Sequence, residues 1–294
     1  MKKIGLIGCE STHAAAFAKA YNLPDENGAE HYGDLCVAAA LAGEGAQELR
    51  VYGVETVYSL DELLERVDAV MITGRRGSQH KKYALPVLRA GKPLFIDKPF
   101  TSGIEDAQEL ADAIDASGVP VMGGSGCKLC RDVQRIRSTA RQWIADRALL
   151  TGMLSFACIP DSPYDGFWFY APHLVEMCLE IFGEEILAVS AMKNDDSLVA
   201  TLRYPGFLVS LHFGRRAQQQ SCVLISGAEN RLYGIDIFDH IQKEAERFAL
   251  LLDGQWKGMT GEELALPVYV IDAILRAAQS GGEQPFERCK SSLS

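Results

Sequence analysis

Short apolar runs and longer amphipathic segments alternate along the first 123 residues. The apolar runs are bounded by glycine or polar residues, a pattern that predicts buried strands. The predicted strands are 3–8, 35–41, 69–73, 93–97 and 119–122. The segments between them have helical spacing and predict helices at 12–21, 60–67, 81–90 and 104–117. Strands and helices that alternate with short connections indicate an α/β fold with a doubly wound parallel sheet.

Residues that begin and end helices agree with these boundaries. Ser59 precedes the helix at 60–67, and Glu62 stands at its third position, which is the pattern of a capping box. Gly91 and Gly118 follow two of the other predicted helices. Glycine is common at this place because it adopts the left-handed conformation that ends a helix.

The second half of the chain has a different pattern. Strands are predicted at 149–159, 187–192, 197–204, 207–213 and 222–226, and helices at 132–146, 173–182, 243–252 and 262–280. Turn sequences at 194–197 and 204–207 join neighbouring strands as hairpins. We therefore expect an α+β domain with a mostly antiparallel open sheet that packs helices against one face. The predicted domains are 1–123 and 124–294.

Charge and hydropathy exclude several partners. Lys and Arg total 29 and Asp and Glu total 39, so the formal net charge is −10. An acidic surface without a dense basic run argues against nucleic acid as a partner. The longest apolar stretches, 4–9 and 35–42, are shorter than the roughly 20 residues that span a bilayer. The first of them stops at Glu10, too soon for a secretory signal, so we expect a cytoplasmic protein without membrane contact.

The eight cysteines lie mostly in apolar segments, as expected for reduced thiols in a cytoplasmic protein. Cys127 and Cys130 form one Cys-x-x-Cys pair, which is half of a zinc site or a redox pair. A zinc site needs two further ligands, and no second such pair supplies them. We interpret both cysteines as packing residues and predict no metal.

The first strand–helix turn of such a sheet is where a dinucleotide diphosphate usually binds. The usual Gly-x-Gly-x-x-Gly pattern is here reduced to its first glycine, with two departures at Glu10 and His13. The full turn reads Gly8, Cys9, Glu10, Ser11, Thr12 and His13. Ser11 and Thr12 either bind phosphate together with the first helical amides or only cap the helix. After the second strand, Glu44 is the nearest acid that suits ribose hydroxyls, and the choice between NAD and NADP stays open.

The most specific signal lies at residues 90–99. Segment 90–93 is Ala-Gly-Lys-Pro, and segment 96–99 is Ile-Asp-Lys-Pro at the end of a predicted strand. This arrangement resembles the glucose–fructose oxidoreductase, inositol dehydrogenase and rhizopine-catabolism family (Gfo/Idh/MocA), whose members carry Ala-Gly-Lys and then Glu-Lys-Pro or Asp-Lys-Pro. Further segments in the family's order extend the resemblance over nearly the whole chain. They are 52–54, 61–64, 67–70, His80, 118–122, 166–183 and 261–266.

The resemblance implies an N-terminal NAD(P)-binding Rossmann domain at 1–123 and a C-terminal α/β domain at 124–294 for substrate binding and oligomerisation. In the family, the open sheet of the second domain mediates dimers or tetramers, so a homodimer or homotetramer is expected. The implied reaction is hydride transfer between nicotinamide and a hydroxyl-bearing carbon of a small molecule, mostly a sugar, inositol or related polyol. The implied cofactor contacts are Gly8, Cys9, Glu10, Ser11, Thr12, His13, Glu44, Thr73, Gly74, Arg75, His80, Asp97 and Lys98.

His173 matches the family's catalytic histidine, and Lys98 matches the lysine that touches nicotinamide and substrate. These residue types suit the chemistry, because an imidazole accepts the hydroxyl proton and an ammonium stabilises the alkoxide. The family's aspartate four residues before the histidine is replaced by Phe169, so the chain resembles a divergent member. Glu176 shares a helix face with His173. It either orients the imidazole in place of the missing aspartate or forms, with His173, a pair of metal ligands for which no third ligand is evident.

Further side chains are candidates for the substrate. Lys128 falls where many relatives have a basic residue that faces the substrate. Tyr164, Trp168 and Tyr170 precede the histidine and either form an aromatic wall for a sugar or are ordinary core residues. Arg75 and Arg76 favour an anionic group, from either cofactor or substrate.

Three functions remain open from the sequence. The leading hypothesis is an NAD(P)-dependent oxidoreductase with Lys98 and His173 at its centre. The alternative is a binding or regulatory protein that has lost dinucleotide chemistry, as Glu10, His13 and Phe169 suggest. The third is a lyase or hydrolase that holds and recycles its nicotinamide.

Overall fold

A computed structural model describes residues 1–24, 32–216 and 219–288. Within this part of the chain, two compact units are present. The first contains residues 1–24, 32–124 and 241–265, and the second contains residues 125–216, 219–240 and 266–288. The chain therefore returns to the first unit after residue 240. The predicted division into residues 1–123 and 124–294 does not include this return.

The first unit is built on a parallel sheet. Its strands are β1 (Lys2–Ile7), β2 (Leu35–Leu41), β3 (Glu55–Val57), β4 (Ala69–Ile72), β5 (Leu94–Asp97) and β6 (Val121–Gly124). They lie in the order β3-β2-β1-β4-β5-β6, and all of their pairings are parallel. This order is the doubly wound Rossmann arrangement, so the predicted fold class is confirmed. The order reverses between β1 and β4, where ligands bind in such sheets.

The helices follow the predicted positions within a few residues. They are α1 (Thr12–Asn22), α2 (Leu60–Arg66), α3 (His80–Arg89), α4 (Ile104–Ser117), α5 (Arg131–Ala145), α6 (Ala171–Phe182), α7 (His240–Leu252) and α8 (Gly261–Ser280). No helix of the described ranges has the length and apolar character that crossing a membrane requires.

The cap of α2 differs in one detail from the predicted capping box. Ser59 Oγ accepts a hydrogen bond from the Glu62 N–H at 3.1 Å, as predicted. The Glu62 carboxylate accepts from the N–H of Tyr58, one residue before the cap, rather than from the N–H of Ser59. Both bonds still satisfy backbone donors at the start of the helix.

An aromatic core explains why α7 packs with the first unit. Phe95 on β5 contacts Phe17 of α1 edge to face at 5.3 Å between ring centroids, and it contacts Phe248 of α7 at 6.0 Å. Tyr21 donates a hydrogen bond to the carbonyl of Ala245 at 2.9 Å. The apolar side of α7 thus covers the parallel sheet, which must bury both of its faces.

The second unit is built on a mixed sheet. Its strands are β7 (Leu149–Ala157), β8 (Ala188–Lys193), β9 (Ser197–Tyr204), β10 (Phe207–Gly214), β11 (Gln220–Ser226), β12 (Asn230–Ile235) and β13 (Gln284–Pro285). The order is β12-β11-β7-β10-β9-β8-β13. The pair β7 and β10 is parallel, and the other pairs are antiparallel. The predicted mostly antiparallel open sheet is therefore confirmed.

The two faces of this sheet differ in burial. Leu154 and Phe156 of β7 are buried in the core with residues of α5, α6 and α8. On the other face, Met153, Leu208 and Leu232 are exposed. The apolar character of this second face is consistent with the expectation of a subunit interface, which stays a prediction.

Candidate cofactor and proton-transfer sites

The first unit has a cleft at the point where the strand order reverses. Its volume is about 170 Å³, and it lies at the carboxyl ends of β1, β2 and β4. Loop residues of all three strand ends form its walls. The lining residues are Ile7, Gly8, Cys9, Glu10, Leu41, Ala42, Gly43, Glu44, Ile72, Gly74, Arg76, Gln79, His80 and Tyr83. Of the predicted cofactor contacts, the cleft brings together Gly8, Cys9, Glu10, Glu44, Gly74 and His80.

Glycines allow the loops of this cleft to pack backbone against backbone. Gly8 has a φ of +83°, and a Cβ at this position would overlap the backbone nitrogen of Gly74. Gly45 has a φ of +78°, and its Cβ would overlap the carbonyl of Cys9. By contrast, a Cβ at Gly43 would meet nothing within 4 Å, so the backbone there is open to a ligand.

Glu10 stands in the wall of the cleft. Its Oε1 accepts a hydrogen bond from the backbone N–H of Arg75 at 2.9 Å. The bond joins the turn after β1 to the loop after β4. The acid that the sequence places in the diphosphate turn is therefore held inside the cleft, next to Gly8 and Gly74.

His13 takes a defined role in place of the expected glycine. Its Nδ1 lies 2.7 Å from Oδ2 of Asp97, whose side chain is 1% exposed. Oδ1 of Asp97 accepts from the backbone N–H of Lys98 at 2.7 Å. Burial alone would raise the pKa of Asp97, but the charges of His13 and Lys98 and the bonds from both residues hold it below its ordinary value. The Lys98 residue itself is 6% exposed.

Thr73 and His80 both hold loops of the first unit in place. Thr73 donates through its hydroxyl to the carbonyl of Gly8 at 3.1 Å. Nε2 of His80 lies 2.8 Å from the carbonyl oxygen of Gly74. Burial lowers the pKa of His80, since the imidazolium is poorly solvated there. Cys9 is buried in the same region, and burial raises its pKa to about 12, so it stays a thiol.

The residues of the cleft suit the diphosphate and ribose groups of a dinucleotide. It lies at the reversal of strand order, Ser11 caps α1 beside it, and the bare backbone of Gly43 opens towards it. Glu44 supplies a carboxylate after β2, where ribose hydroxyls are bound in such folds, and Arg76 supplies a cation. The carboxylate of Glu10 opposes an anionic ligand.

The second unit contains a separate polar cluster around His173. His173 is the third residue of α6, and its ring stacks on Phe156 of β7 with 5.1 Å between centroids. Nδ1 of His173 lies 2.7 Å from the hydroxyl oxygen of Ser125 and 3.4 Å from Sγ of Cys127. A buried aromatic face and a short hydrogen bond thus fix the imidazole.

A buried ion pair supports this cluster. Nζ of Lys128 donates to Oε2 of Glu176 at 2.8 Å, and the two side chains are 16% and 4% exposed. Both carboxylate oxygens of Glu176 also accept from the backbone N–H of Ser125, each at 2.9 Å. The predicted direct contact between Glu176 and the imidazole is not present. The carboxylate acts on Ser125, and Ser125 contacts His173.

Ser125 is a candidate site residue that the sequence reasoning missed. Ser125 directly follows β6, the strand that ends in Gly123 and Gly124. A hydroxyl residue after glycines at a strand end was the available signal, but no motif marks it. Arg76, for which the sequence predicts attraction to an anionic group of either cofactor or substrate, lines the cleft.

The aromatic residues before His173 pack with one another. The ring of Phe169 lies 5.1 Å from that of Tyr164 and 4.7 Å from that of Tyr170. Trp168 and Tyr170 also pack against the hydrophobic core of the second unit. Phe169, which stands at the family's aspartate position, is therefore part of an aromatic group. Contact of Tyr164, Trp168 and Tyr170 with a substrate stays a prediction.

Cys127 and Cys130 are both buried in the core of the second unit. Sγ of Cys130 lies 3.7 Å from the carbonyl oxygen of Gly126, and Cys127 is beside His173. Among the residues that the structure describes, no group of three His, Cys, Asp or Glu side chains could hold a metal ion.

Comparison with known proteins identifies the family. Residues 2–125 match the sequence model of the Gfo/Idh/MocA oxidoreductase family with an NAD-binding Rossmann fold. The "Uncharacterized oxidoreductase YdgJ" of Escherichia coli (strain K12) is 25% identical over 258 residues, with 70% of each protein covered.

Two solved structures share the fold. One is GenD2 from gentamicin A biosynthesis in complex with NAD, with a TM-score of 0.82, 16% identity, and 97% of this chain and 96% of that chain covered. The other is a putative myo-inositol dehydrogenase from Sinorhizobium meliloti 1021, with a TM-score of 0.81, 16% identity, and 98% and 100% covered.

The N-terminal region therefore belongs to the Gfo/Idh/MocA family of oxidoreductases, and the predicted resemblance is confirmed. The protein is an oxidoreductase whose nucleotide-binding fold is of the NAD-binding class. The family match confirms the predicted cofactor class, NAD or NADP, although the glycine pattern in the turn is reduced.

Proposed function

We propose that this oxidoreductase transfers hydride between a nicotinamide dinucleotide and a carbon that carries a hydroxyl or carbonyl group in a small polyol, sugar or inositol. The observation that carries the proposal is the environment of His173. Its imidazole stacks on Phe156 and is held at Nδ1 by Ser125 at 2.7 Å, so the opposite ring nitrogen has a fixed direction. A fixed imidazole in a partly buried polar cluster is the arrangement that proton transfer requires.

The cleft of the first unit would hold the dinucleotide. Gly8, Gly43, Gly74 and the capped start of α1 offer backbone to the diphosphate, and Glu44 would hold ribose hydroxyls. When bound, the nicotinamide ring supplies the hydride acceptor or donor. Cys9, Glu10 and His80 also line this cleft. Thr73, Arg75 and Asp97 position the loops around it in our proposal.

Proton transfer falls to His173 in this proposal, and stabilisation of the developing alkoxide falls to Lys98. Lys98 is held by its backbone N–H to Asp97, so its side chain starts from a fixed point. An ammonium group in a site with little water stabilises negative charge on oxygen more strongly than it does in bulk water. Polyols and sugars suit the second unit, since Lys128, held by Glu176, offers a charged hydrogen-bonding group and Tyr164, Trp168 and Tyr170 offer aromatic faces.

One observation favours the alternative of a binding protein without dinucleotide chemistry. The Glu10 carboxylate lies in the cleft, where it opposes a diphosphate by charge. In this alternative, the cleft binds a neutral or cationic small molecule, and His173 contacts a ligand without transferring a proton. Assays of the same purified protein distinguish the two functions.

A panel of polyols, inositols, sugars and their keto forms, assayed with NAD(H) and NADP(H), tests the proposed function. We expect nicotinamide absorbance to change with at least one substrate. The variant His173→Asn should then lower kcat by at least about 100-fold, the usual contribution of general acid–base catalysis. His240→Asn, a histidine elsewhere in the second unit, is the matched control and should keep the activity. Equal activity in both variants would contradict the role of His173.

We also propose that the exposed face of the second sheet, with Met153, Leu208 and Leu232, forms a subunit interface in a homodimer or homotetramer. Analytical ultracentrifugation at micromolar concentration should show a species larger than a monomer. Leu208→Lys should shift the protein to the monomer, because a charge in an apolar interface is costly.

A further inference from the structure

The hydroxyl proton of Ser125 has few hydrogen-bond acceptors within reach. Its Oγ accepts a hydrogen bond from the backbone N–H of Cys127 at 3.3 Å. The same oxygen lies 2.7 Å from Nδ1 of His173. A serine hydroxyl has one proton to donate. In the described ranges, Nδ1 of His173 is the acceptor within reach of that proton.

From this we infer that Ser125 sets the tautomer of His173. The hydroxyl of Ser125 donates to Nδ1, so the neutral imidazole carries its proton on Nε2. This inference rests on the proposed function only for its catalytic meaning. The tautomer itself follows from the hydrogen bonds of Ser125.

The opposite arrangement leaves a buried proton without a partner. If Nδ1 carried the proton, it would donate to Oγ of Ser125, which would then accept from two N–H groups. The hydroxyl proton would have no acceptor among the described residues, and Ser125 is buried. An unsatisfied buried donor costs on the order of a lost hydrogen bond, so this tautomer is disfavoured.

The position of Ser125 is fixed by its backbone. Its N–H donates to both oxygens of Glu176, and Lys128 neutralises that carboxylate. Ser125 is also the N-terminal cap of the short 3₁₀ helix Gly126–Leu129, whose Cys127 N–H supplies the bond to Oγ. The ion pair therefore acts as a support for the serine, and the serine acts on the imidazole as a positioning residue.

Cys127 also lies near Nδ1. Its Sγ lies 3.4 Å from that nitrogen, compared with 2.7 Å for Oγ of Ser125. A thiol is a weak donor and a weak acceptor. The serine therefore dominates the choice of tautomer, and the cysteine provides a control.

The tautomer indicates whether the site, with a neutral His173, binds the carbonyl form or the alcohol form of the substrate. In the proposed function Nε2 is the nitrogen that meets the substrate, so a proton on it makes His173 a hydrogen-bond donor towards the substrate. A carbonyl oxygen accepts such a bond, whereas a hydroxyl group that must give up its proton needs a bare nitrogen. The enzyme with a neutral His173 is thus arranged to bind the ketone or aldehyde form. Oxidation of the alcohol requires the less populated tautomer, in which Nε2 carries no proton.

Nitrogen NMR of the full-length protein labelled with ¹⁵N-histidine tests this directly, without substrate or cofactor. The spectrum of His173→Gln identifies the His173 signals among the six histidines. At a pH where the ring is neutral, we expect a protonated Nε2 and an unprotonated Nδ1 in the wild type. In Ser125→Ala the two nitrogen shifts should move towards each other, while Ser125→Thr and Cys127→Ala should keep the wild-type shifts.

Two results would overturn the inference: a protonated Nδ1 in the wild type, or unchanged shifts in Ser125→Ala. The wild-type spectrum decides the tautomer even if Ser125→Ala does not fold. A protein that turns over no polyol or ketone would overturn the proposed function and leave the NMR result unaffected, so the two failures are distinguishable.

Discussion

Nδ1 of His13 lies 2.7 Å from Oδ2 of Asp97, which joins the first turn of α1 to the carboxyl end of β5. Asp97 directly precedes Lys98 and accepts its backbone N–H. The helix start that approaches the cofactor cleft and the lysine proposed to stabilise an alkoxide are thus fixed by one buried carboxylate. A histidine in place of the usual glycine is therefore a structural element of this site.

Removal of the imidazole leaves that buried carboxylate with one fewer partner. We expect His13→Ala to lower the free energy of unfolding by about 3 kcal/mol near pH 6, as is typical when one member of a buried pair is removed. Urea unfolding monitored by circular dichroism provides the measurement.

The effect should depend on pH in a definite direction. The pKa of Asp97 is lowered in the folded protein, so its stabilising contribution is present above the unfolded value, about 4, and is lost as the pH falls through the folded value. The difference between His13→Ala and the wild type should therefore shrink on acidification below pH 4. A difference that grows there would contradict the pairing.

Glu10 should weaken the binding of a dinucleotide. The variant Glu10→Gln keeps an oxygen to accept from the N–H of Arg75 and removes the negative charge. We expect its Kd for NADH to be roughly fivefold lower, since an unfavourable charge near a diphosphate is worth about 1 kcal/mol in a solvated cleft. Glu48→Gln, outside the residues that line the cleft, is the matched control. Weaker binding by Glu10→Gln would show instead that the carboxylate contacts the ligand favourably.

The stability of the protein should fall when the cation of the pair Lys128 and Glu176 is removed alone. Lys128→Met leaves the Glu176 carboxylate buried without its neutralising partner, so we expect a loss of about 3 kcal/mol in unfolding free energy. The double variant Lys128→Met, Glu176→Gln should recover part of this loss, because no charge then remains buried. Thermal unfolding of the four proteins gives the coupling, and additive losses would contradict a direct pair.

Burial of His80 predicts a pH dependence of the first unit. Its pKa is lowered in the folded protein, so the unfolded chain binds more protons than the folded one between the two pKa values. Stability should therefore rise as the pH increases from 5 towards 7. His80→Asn should flatten this slope, measured as urea midpoints across the range. An identical slope in His80→Asn would exclude this histidine as the cause.

The parallel sheet could be predicted from the sequence because its strands are continuous apolar runs. All four residues of β4, Ala69–Ile72, are buried, as both faces of a parallel sheet require. The strand β12, Asn230–Ile235, was not predicted, since most of its residues are exposed and its pairing with β11 alone makes it a strand. The sequence also does not predict the packing of α7 against Phe95, because contacts between residues that are distant in the sequence leave no local pattern.

The site was predictable only in part. Lys98 and His173 stand in recognisable family positions, and Glu10 in the turn after β1 was evident from its charge. The contact between Ser125 and His173 joins residues 48 positions apart, and a single serine carries no motif. Sequence spacing suggested Glu176 as the partner of the imidazole, but helix spacing gives a shared face without giving a contact.

The central claim is that the altered turn still binds a nicotinamide dinucleotide. Titration of the purified protein with NADH and NADPH, followed by nicotinamide fluorescence after removal of any carried-over cofactor, tests it most directly. We predict saturable binding of at least one of the two in the micromolar range, competed by the oxidised form. Absence of binding up to millimolar dinucleotide, in a protein shown to be folded, would contradict the account and favour a Rossmann scaffold with another ligand.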